Sequence, residues 1–263
     1  LELDKTVLGG CFVSGMLLSI LFVFGVIIIS EVLRKVGKLG GESTRKFIHI
    51  GVSHWWLAAM YLIEGMGYAL VPPILFVALN FISYKKDLIK SMERGKDISD
   101  LGTVYFPISL IIMILLTWPG GLLGGDHRYI GAVGILTMGY GDGFAAIIGG
   151  GHGKHKYKVL GHEKSLEGSL AMFCFSFLVS VILMGIYIGF TQFILKICFI
   201  IAAIATLAEA LTPFGLDNIT VPFISALAAY FLLQTAGLPA SDFMFRGVIG
   251  FAFSFLIAYT ALI

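Results

Sequence analysis

The sequence predicts an all-α fold, a polytopic integral membrane bundle of about nine transmembrane helices with the N-terminus outside and the C-terminus inside. Composition, the spacing of long apolar runs and the sidedness of the basic residues together predict it. Of the 263 residues, 58% are hydrophobic and 13% are charged, and the mean hydropathy is +0.95. A soluble domain carries about 25% charged residues and could not cover this much apolar surface. The 33 glycines and 22 phenylalanines fit the same picture, because glycine lets membrane helices approach closely.

A spanning helix needs about 20 mostly apolar residues. Runs near 8–30, 47–64, 67–84, 101–118, 130–149, 168–190, 193–211, 218–235 and 245–263 meet that need. The first is too long for a signal-peptide core and lacks a basic n-region or an A-x-A site, so it is read as a helix. The second follows the basic pair Arg45-Lys46. The third contains Pro72 and Pro73, which are expected to break its first turn and make it re-entrant or tilted. The fifth encloses Asp142, and the eighth begins after Pro213 and Asp217. Cys11, Cys174 and Cys198 lie inside apolar runs without ligand spacing and read as small buried hydrophobes. Trp55, Trp56 and Trp118 read as packing or interface anchors. No repeat or linker divides the chain, so 1–263 is expected to form one transmembrane domain.

With the first helix entering from outside, the inward loops are 31–46, 85–100, 150–167 and 212–217. They hold 14 of the 18 lysines and arginines, as the positive-inside rule requires. Glu64, Asp126, Arg128 and Asp242 fall on the outer side, where solvation suffices.

Three polar clusters share the inner side. In the first, Gly141-Asp142-Gly143-Phe144-Ala145 leads through Gly149-Gly150-Gly151-His152-Gly153-Lys154-His155-Lys156 to Lys164-Ser165-Leu166-Glu167-Gly168-Ser169. An acid within an apolar helix is costly unless paired, hydrated or bound to a ligand. A glycine-rich basic loop offers N–H and ammonium groups to phosphates, and a carboxylate can hold Mg²⁺ beside them. The spacing is neither a P-loop nor a dinucleotide fingerprint. Lysines in such a loop also serve topology and anionic lipid contact. His152, His155 and His162 read as solvated loop histidines, not a zinc set.

In the second cluster, Arg45-Lys46-Phe47-Ile48-His49, Lys46 and His49 stand at i and i+3 and share a helix face that can meet a phosphate. A snorkelling basic flank with a buried histidine is the alternative. The third runs from Glu209 through Pro213 to Asp217-Asn218. Asp217 can either N-cap the next helix or bind a ligand. Glu209 would sit near the negative end of a helix dipole and so calls for a metal or a basic partner.

At these residues the sequence resembles the CTP-dependent lipid kinases, the family of dolichol kinase, phytol and farnesol kinases and yeast-type diacylglycerol kinase. The similarity runs in order from Arg45-Lys46-x-x-His49 through Gly141-Asp142-Gly143-Phe144-Ala145 and Lys164-Ser165-x-Glu167-Gly168-Ser169 to Glu209-Ala210-Leu211 and Asp217-Asn218-Ile219-Thr220-Val221-Pro222. The middle and last motifs look most similar to phytol and farnesol kinases. Two departures stand out. Gly149-Gly150-Gly151-His152-Gly153 lacks an arginine common in the family, and Glu167 stands where alanine is common but where the related phosphatidate cytidylyltransferases carry glutamate.

The resemblance implies transfer of the γ-phosphoryl group of CTP to a membrane lipid alcohol at the cytosolic face, with no role for nucleic acid. It implies Asp142 with Glu209 or Asp217 as Mg²⁺ ligands and Lys154, Lys156, Lys164, Ser165, Gly149 and Gly153 as the phosphate-binding set. Arg45 and Lys46 would contact phosphate, and His49 or an acid would orient or deprotonate the lipid hydroxyl. Glu167 and Asn218 are further candidates. A cytidylyltransferase acting on phosphatidate and a small-anion transporter are the alternatives. A transporter predicts charges at the midplane and an inverted repeat, whereas these charges gather at one interface.

Overall fold

A computed structural model describes residues 5–37, 41–86, 101–159, 162–213 and 215–236. Among the described residues, five helices are long and apolar enough to cross a membrane by length and composition. They are the Ser14–Lys35 part of α1 (Lys5–Lys35), α4 (Met66–Lys86), α6 (Arg128–His152), α7 (Leu166–Tyr187) and α8 (Gln192–Leu211). Two more apolar helices, α5 (Gly102–Thr117) and α9 (Asp217–Leu233), are shorter. The expected run 245–263 and most of the loop 85–100 lie outside the described residues. Large apolar side chains crowd the outward faces, among them Leu21, Ile28, Ile74, Leu170 and Phe231, while Trp55, Trp56 and Trp118 are buried. That distribution suits a lipid surround. Cys198 is buried as expected, but Cys174 is exposed on α7, because an apolar run in a membrane helix supplies the outward face as well as the inward one.

The chain divides into two compact units, Leu1–Arg128 and Tyr129–Ile263. In the first, α1 ends on Arg34 and Lys35, whose charges suit the negative helix end, and Gly37 follows with φ 72° and donates to the Arg34 carbonyl. The run expected as one span at 47–64 is instead two helices, α2 (Gly41–Ser53) and α3 (Trp55–Leu62). The cause is local. The Ile50 carbonyl accepts the Ser53 hydroxyl at 2.6 Å and is bonded by His54 Nδ1 at 2.8 Å, while the His54 N–H tightens onto the Gly51 carbonyl. Side chains have taken the acceptor that the next helical turn needs.

The expected break at Pro72 and Pro73 does not occur. They are the seventh and eighth residues of a continuous α4, where proline's fixed φ is already helical, although each ring removes an N–H donor and crowds the carbonyl four residues before it. Asn80 Nδ2 donates to the Thr103 carbonyl at 2.7 Å and ties α4 to α5. Beyond α5, the Trp56 and Trp118 rings meet edge to face with centroids 5.4 Å apart, and Arg128 lies over Trp118. The Arg128 guanidinium also bonds both Asp126 oxygens and the Met60 carbonyl, so more than solvation fixes this pair.

In the second unit, α7 packs on α8 and α8 on α9. Gly134 of α6 lies so near α9 that a Cβ would stand 2.5 Å from the Pro222 carbonyl oxygen. Phe144 of α6 stacks on Phe175 of α7 at 3.9 Å. The loop expected at 150–167 is structured: α6 continues to His152, and a two-stranded antiparallel hairpin follows, β1 (Lys156–Val159) and β2 (His162–Ser165). The described fold is thus helical with one small hairpin. Tyr157 pairs with Lys164 and Lys158 with Glu163, leaving Lys156, Lys158 and Glu163 exposed while Tyr157, Val159, His162 and Lys164 are half-buried. Alternation over two short runs produces that division.

Candidate active site

Four segments distant in sequence meet in the second unit: the middle of α6, the hairpin with the start of α7, the end of α8 and the start of α9. Asp142, Glu209 and Asp217 each present a carboxylate oxygen, and the three atoms lie within 4.8 Å of one another. Asp142 and Glu209 are buried, each 8% exposed, and Asp217 is half-buried.

Each acid has a different local setting. Asp142 sits inside an apolar helix, where an uncompensated charge is expensive. Glu209 lies in the last turn of α8, at the unfavourable end of the dipole, and Lys164 answers it. The Lys164 ammonium is 2.6 Å from Glu209 Oε1 and also donates to the Glu209 main-chain carbonyl. One cation therefore neutralises the side chain and caps the helix end. Asp217 is the first residue of α9, where the positive helix end favours a carboxylate. The N-cap position belongs to Leu216, whose side chain makes no cap bond, so the capping role considered for Asp217 is corrected by one position. Its Oδ1 accepts from the Asn218 N–H at 2.9 Å and from Asn218 Nδ2 at 3.1 Å. Asn218 Nδ2 also donates to Gly215, while its Oδ1 is buried and, among the described residues, has no hydrogen-bond partner.

This donor set fits a hard divalent cation. It is all oxygen, it is anionic beyond what Lys164 offsets among these four groups, and it has a buried amide oxygen beside it.

The hairpin carries the lysines. Lys154 and Lys158 are exposed. Lys156 is 2.6 Å from Glu163; that hydrogen bond holds the Glu163 carboxyl below its ordinary range and raises the Lys156 ammonium above its own. Two contacts pin the hairpin to α7. Tyr157 Oη meets Ser169 Oγ at 2.5 Å, and Glu167 receives the His155 N–H at 3.2 Å and His155 Nδ1 at 2.7 Å. Tyr157 was not singled out by sequence and Ser169 only as a motif position, although Lys156-Tyr157-Lys158-Val159 alternates polar with apolar residues as a strand does.

Ser165, Gly149 and Gly153 meet at a packing junction between the end of α6 and the start of α7. Ser165 N-caps α7 by accepting the Gly168 N–H at 3.1 Å, and the Gly153 N–H donates to the Gly149 carbonyl. A Cβ on Gly149 or Gly153 would stand 2.9 or 2.6 Å from Ser165 Oγ, so glycine lets the end of α6 press against the cap of α7.

Arg45, Lys46 and His49 belong to the first unit, on α2. Lys46 is 5% exposed, Arg45 is half-buried, and the His49 ring packs against Phe106 with centroids 5.2 Å apart.

Comparison with known proteins gives a consistent result. A phytol kinase from Synechocystis sp. is 32% identical over 214 residues, covering 81% of this chain and 89% of that protein. A probable chloroplastic phytol kinase 1 from Glycine max is 35% identical over 178 residues, 62% of this chain and 56% of its own length. Phytol kinase 1, chloroplastic, from Arabidopsis thaliana is 27% identical over 226 residues, 79% of this chain and 72% of its own length. No protein-family model matches the chain. No solved structure matches it either.

Proposed function

The chain belongs to the phytol kinase family, and we propose that it transfers the γ-phosphoryl group of CTP to the hydroxyl of an isoprenoid alcohol held in the membrane, phytol first and farnesol or a polyprenol as related acceptors. It is a kinase whose acceptor is an alcohol group. The observation that carries the finer proposal is the convergence of Asp142, Glu209 and Asp217 beside Lys164. Phosphoryl transfer asks little covalent help of a protein and much charge placement. A Mg²⁺ ion held by the three carboxylates would neutralise the nucleotide's phosphates. Lys164, with the exposed Lys154 and Lys156, supplies positive charge on the same side. For Arg45, Lys46 and His49 the proposed roles are those the resemblance implies, phosphate contact and handling of the acceptor hydroxyl. The 14 basic residues of the expected inward loops support a cytosolic-facing site in a cell membrane or endomembrane.

The test uses labelled CTP, phytol and the protein in membranes. Label from the γ-phosphate is expected in lipid, and Asp142→Asn is expected to lower its incorporation by about 100-fold or more while the protein stays folded. A fully active Asp142→Asn would remove the metal site. Entry of α-label instead would mark cytidylyl transfer, and entry of neither label into any lipid would overturn both.

A further inference from the structure

Glu209 and Lys164 have competing duties in the function just proposed. The Lys164 ammonium lies 2.6 Å from Glu209 Oε1, and both side chains are largely enclosed, 18% and 10% exposed. A Mg²⁺ ion binds carboxylate oxygen at about 2.1 Å. An ammonium keeping its 2.6 Å bond to the same oxygen would then stand at most about 4.7 Å from a dication. Inside a protein that repulsion is strong. Conversely, while Lys164 is held by Glu209, its charge is committed to a carboxylate and not to a nucleotide phosphate. The lysine stem has four rotatable carbons and need not carry the hairpin with it. The hairpin has separate anchors, Tyr157 to Ser169 and His155 to Glu167.

We propose that Lys164 is a resident counter-ion of the carboxylate cluster, displaced from Glu209 by the arriving divalent cation and thereby released to the nucleotide phosphates. This rests on the metal site proposed above. Without metal, Lys164 neutralises Glu209 within the buried cluster. With metal, the same ammonium becomes a phosphate ligand. Metal and nucleotide then bind synergistically, because each favours the separated pair, and the coupling must be reciprocal.

The experiment measures Mn²⁺ binding by the purified protein, alone and with CTP, in the absence of acceptor. In the unaltered protein, CTP is expected to tighten Mn²⁺ binding by about tenfold or more. Lys164→Met is expected to bind Mn²⁺ alone about tenfold more tightly than the unaltered protein, and to lose most of the CTP effect. Lys164→Arg keeps the charge and is expected to bind Mn²⁺ alone like the unaltered protein. Glu209→Gln frees the ammonium, so its metal-free CTP affinity is expected to rise several-fold, an independent check should Lys164→Met fold poorly. Unchanged or weaker Mn²⁺ binding in Lys164→Met, or unchanged metal-free CTP affinity in Glu209→Gln, overturns the counter-ion role. If Asp142→Asn still abolishes Mn²⁺ binding in that case, the metal site stands without the switch. If the unaltered protein binds no Mn²⁺ with or without CTP, the metal site itself fails.

Discussion

Replacing Gly134 by alanine adds one carbon at a place where the α6 backbone lies against the α9 backbone. The new Cβ would lie 2.5 Å from the Pro222 carbonyl oxygen and 3.1 Å from the Ala226 Cβ. A carbon and a carbonyl oxygen approach no closer than about 3.3 Å, so roughly 0.8 Å must be recovered. The obstacle is backbone inside a helix, and no side-chain rotation relieves it. Overpacking of this kind costs about 1–3 kcal/mol. For a chain of this size that lowers an apparent Tm by roughly 3–10 °C. Pro222 is five residues from Asp217, so a shift of α9 also moves one carboxylate of the cluster. A misplacement near 1 Å can cost about 100-fold, and phosphoryl transfer is expected to fall by about tenfold or more. Thermal unfolding in detergent, run beside label incorporation, makes the measurement. Gly25→Ala is the control, since a Cβ there meets nothing within 4 Å, and it should melt at or above the unaltered protein. If Gly134→Ala matches that control in both assays, the close approach of α6 and α9 does not set the cluster, and the reasoning fails.

Ser165→Ala removes the N-cap of α7 and is expected to destabilise by about 0.5–2 kcal/mol. Faster amide exchange at Gly168 would report it, and unchanged exchange would assign the Ser165 hydroxyl elsewhere. Arg128→Ala loses the Asp126 pair, the Met60 carbonyl bond and the Trp118 ring contact, and is expected to cost about 1–3 kcal/mol in unfolding experiments with metal binding intact. The same pair sets a pH dependence. Arg128's hydrogen bond holds the Asp126 carboxyl below its ordinary value, so its stabilisation is complete above the unfolded carboxyl's range near pH 4 and is lost as pH falls through the lowered folded value. The Tm gap between the unaltered protein and Asp126→Asn should therefore narrow on acidification; a constant gap would discount the ion pair.

Much of this was legible in the sequence, for reasons that can be named. Long continuous apolar runs call for helices, because a helix satisfies its own backbone in lipid while the strands of a closed barrel are shorter and alternate. Asp142 stood out because a lone acid in such a run needs an explanation, and Glu209 because it faced the wrong end of a dipole. The partner of Glu209 did not stand out. Lys164 is 45 residues away and reaches it only after a hairpin turns it inward. That hairpin was hidden by its own composition, since glycines and lysines resemble a solvated loop until alternation is counted. Gly149, Gly153 and Ser165 show a second use of the same residue types: those that cradle phosphates also permit tight packing. The two-helix division at His54 came from side chains competing for one carbonyl, an event no hydropathy run records.

The hairpin also imposes an arithmetic on how this segment can change. Lys164 and Ser165 are adjacent, yet one turns toward Glu209 and the other caps α7, because neighbours on a strand face opposite ways. Their orientation is fixed by α7, which β2 joins directly. An insertion of one residue between Val159 and His162 can be taken up by a longer turn that keeps the pairing, whereas a one-residue slip of β1 against β2 would turn Tyr157 away from Ser169 and present Lys156 or Lys158 in its place. The segment thus tolerates change in the length of its connection more readily than change in its register: a slip exchanges an aromatic anchor for a charge.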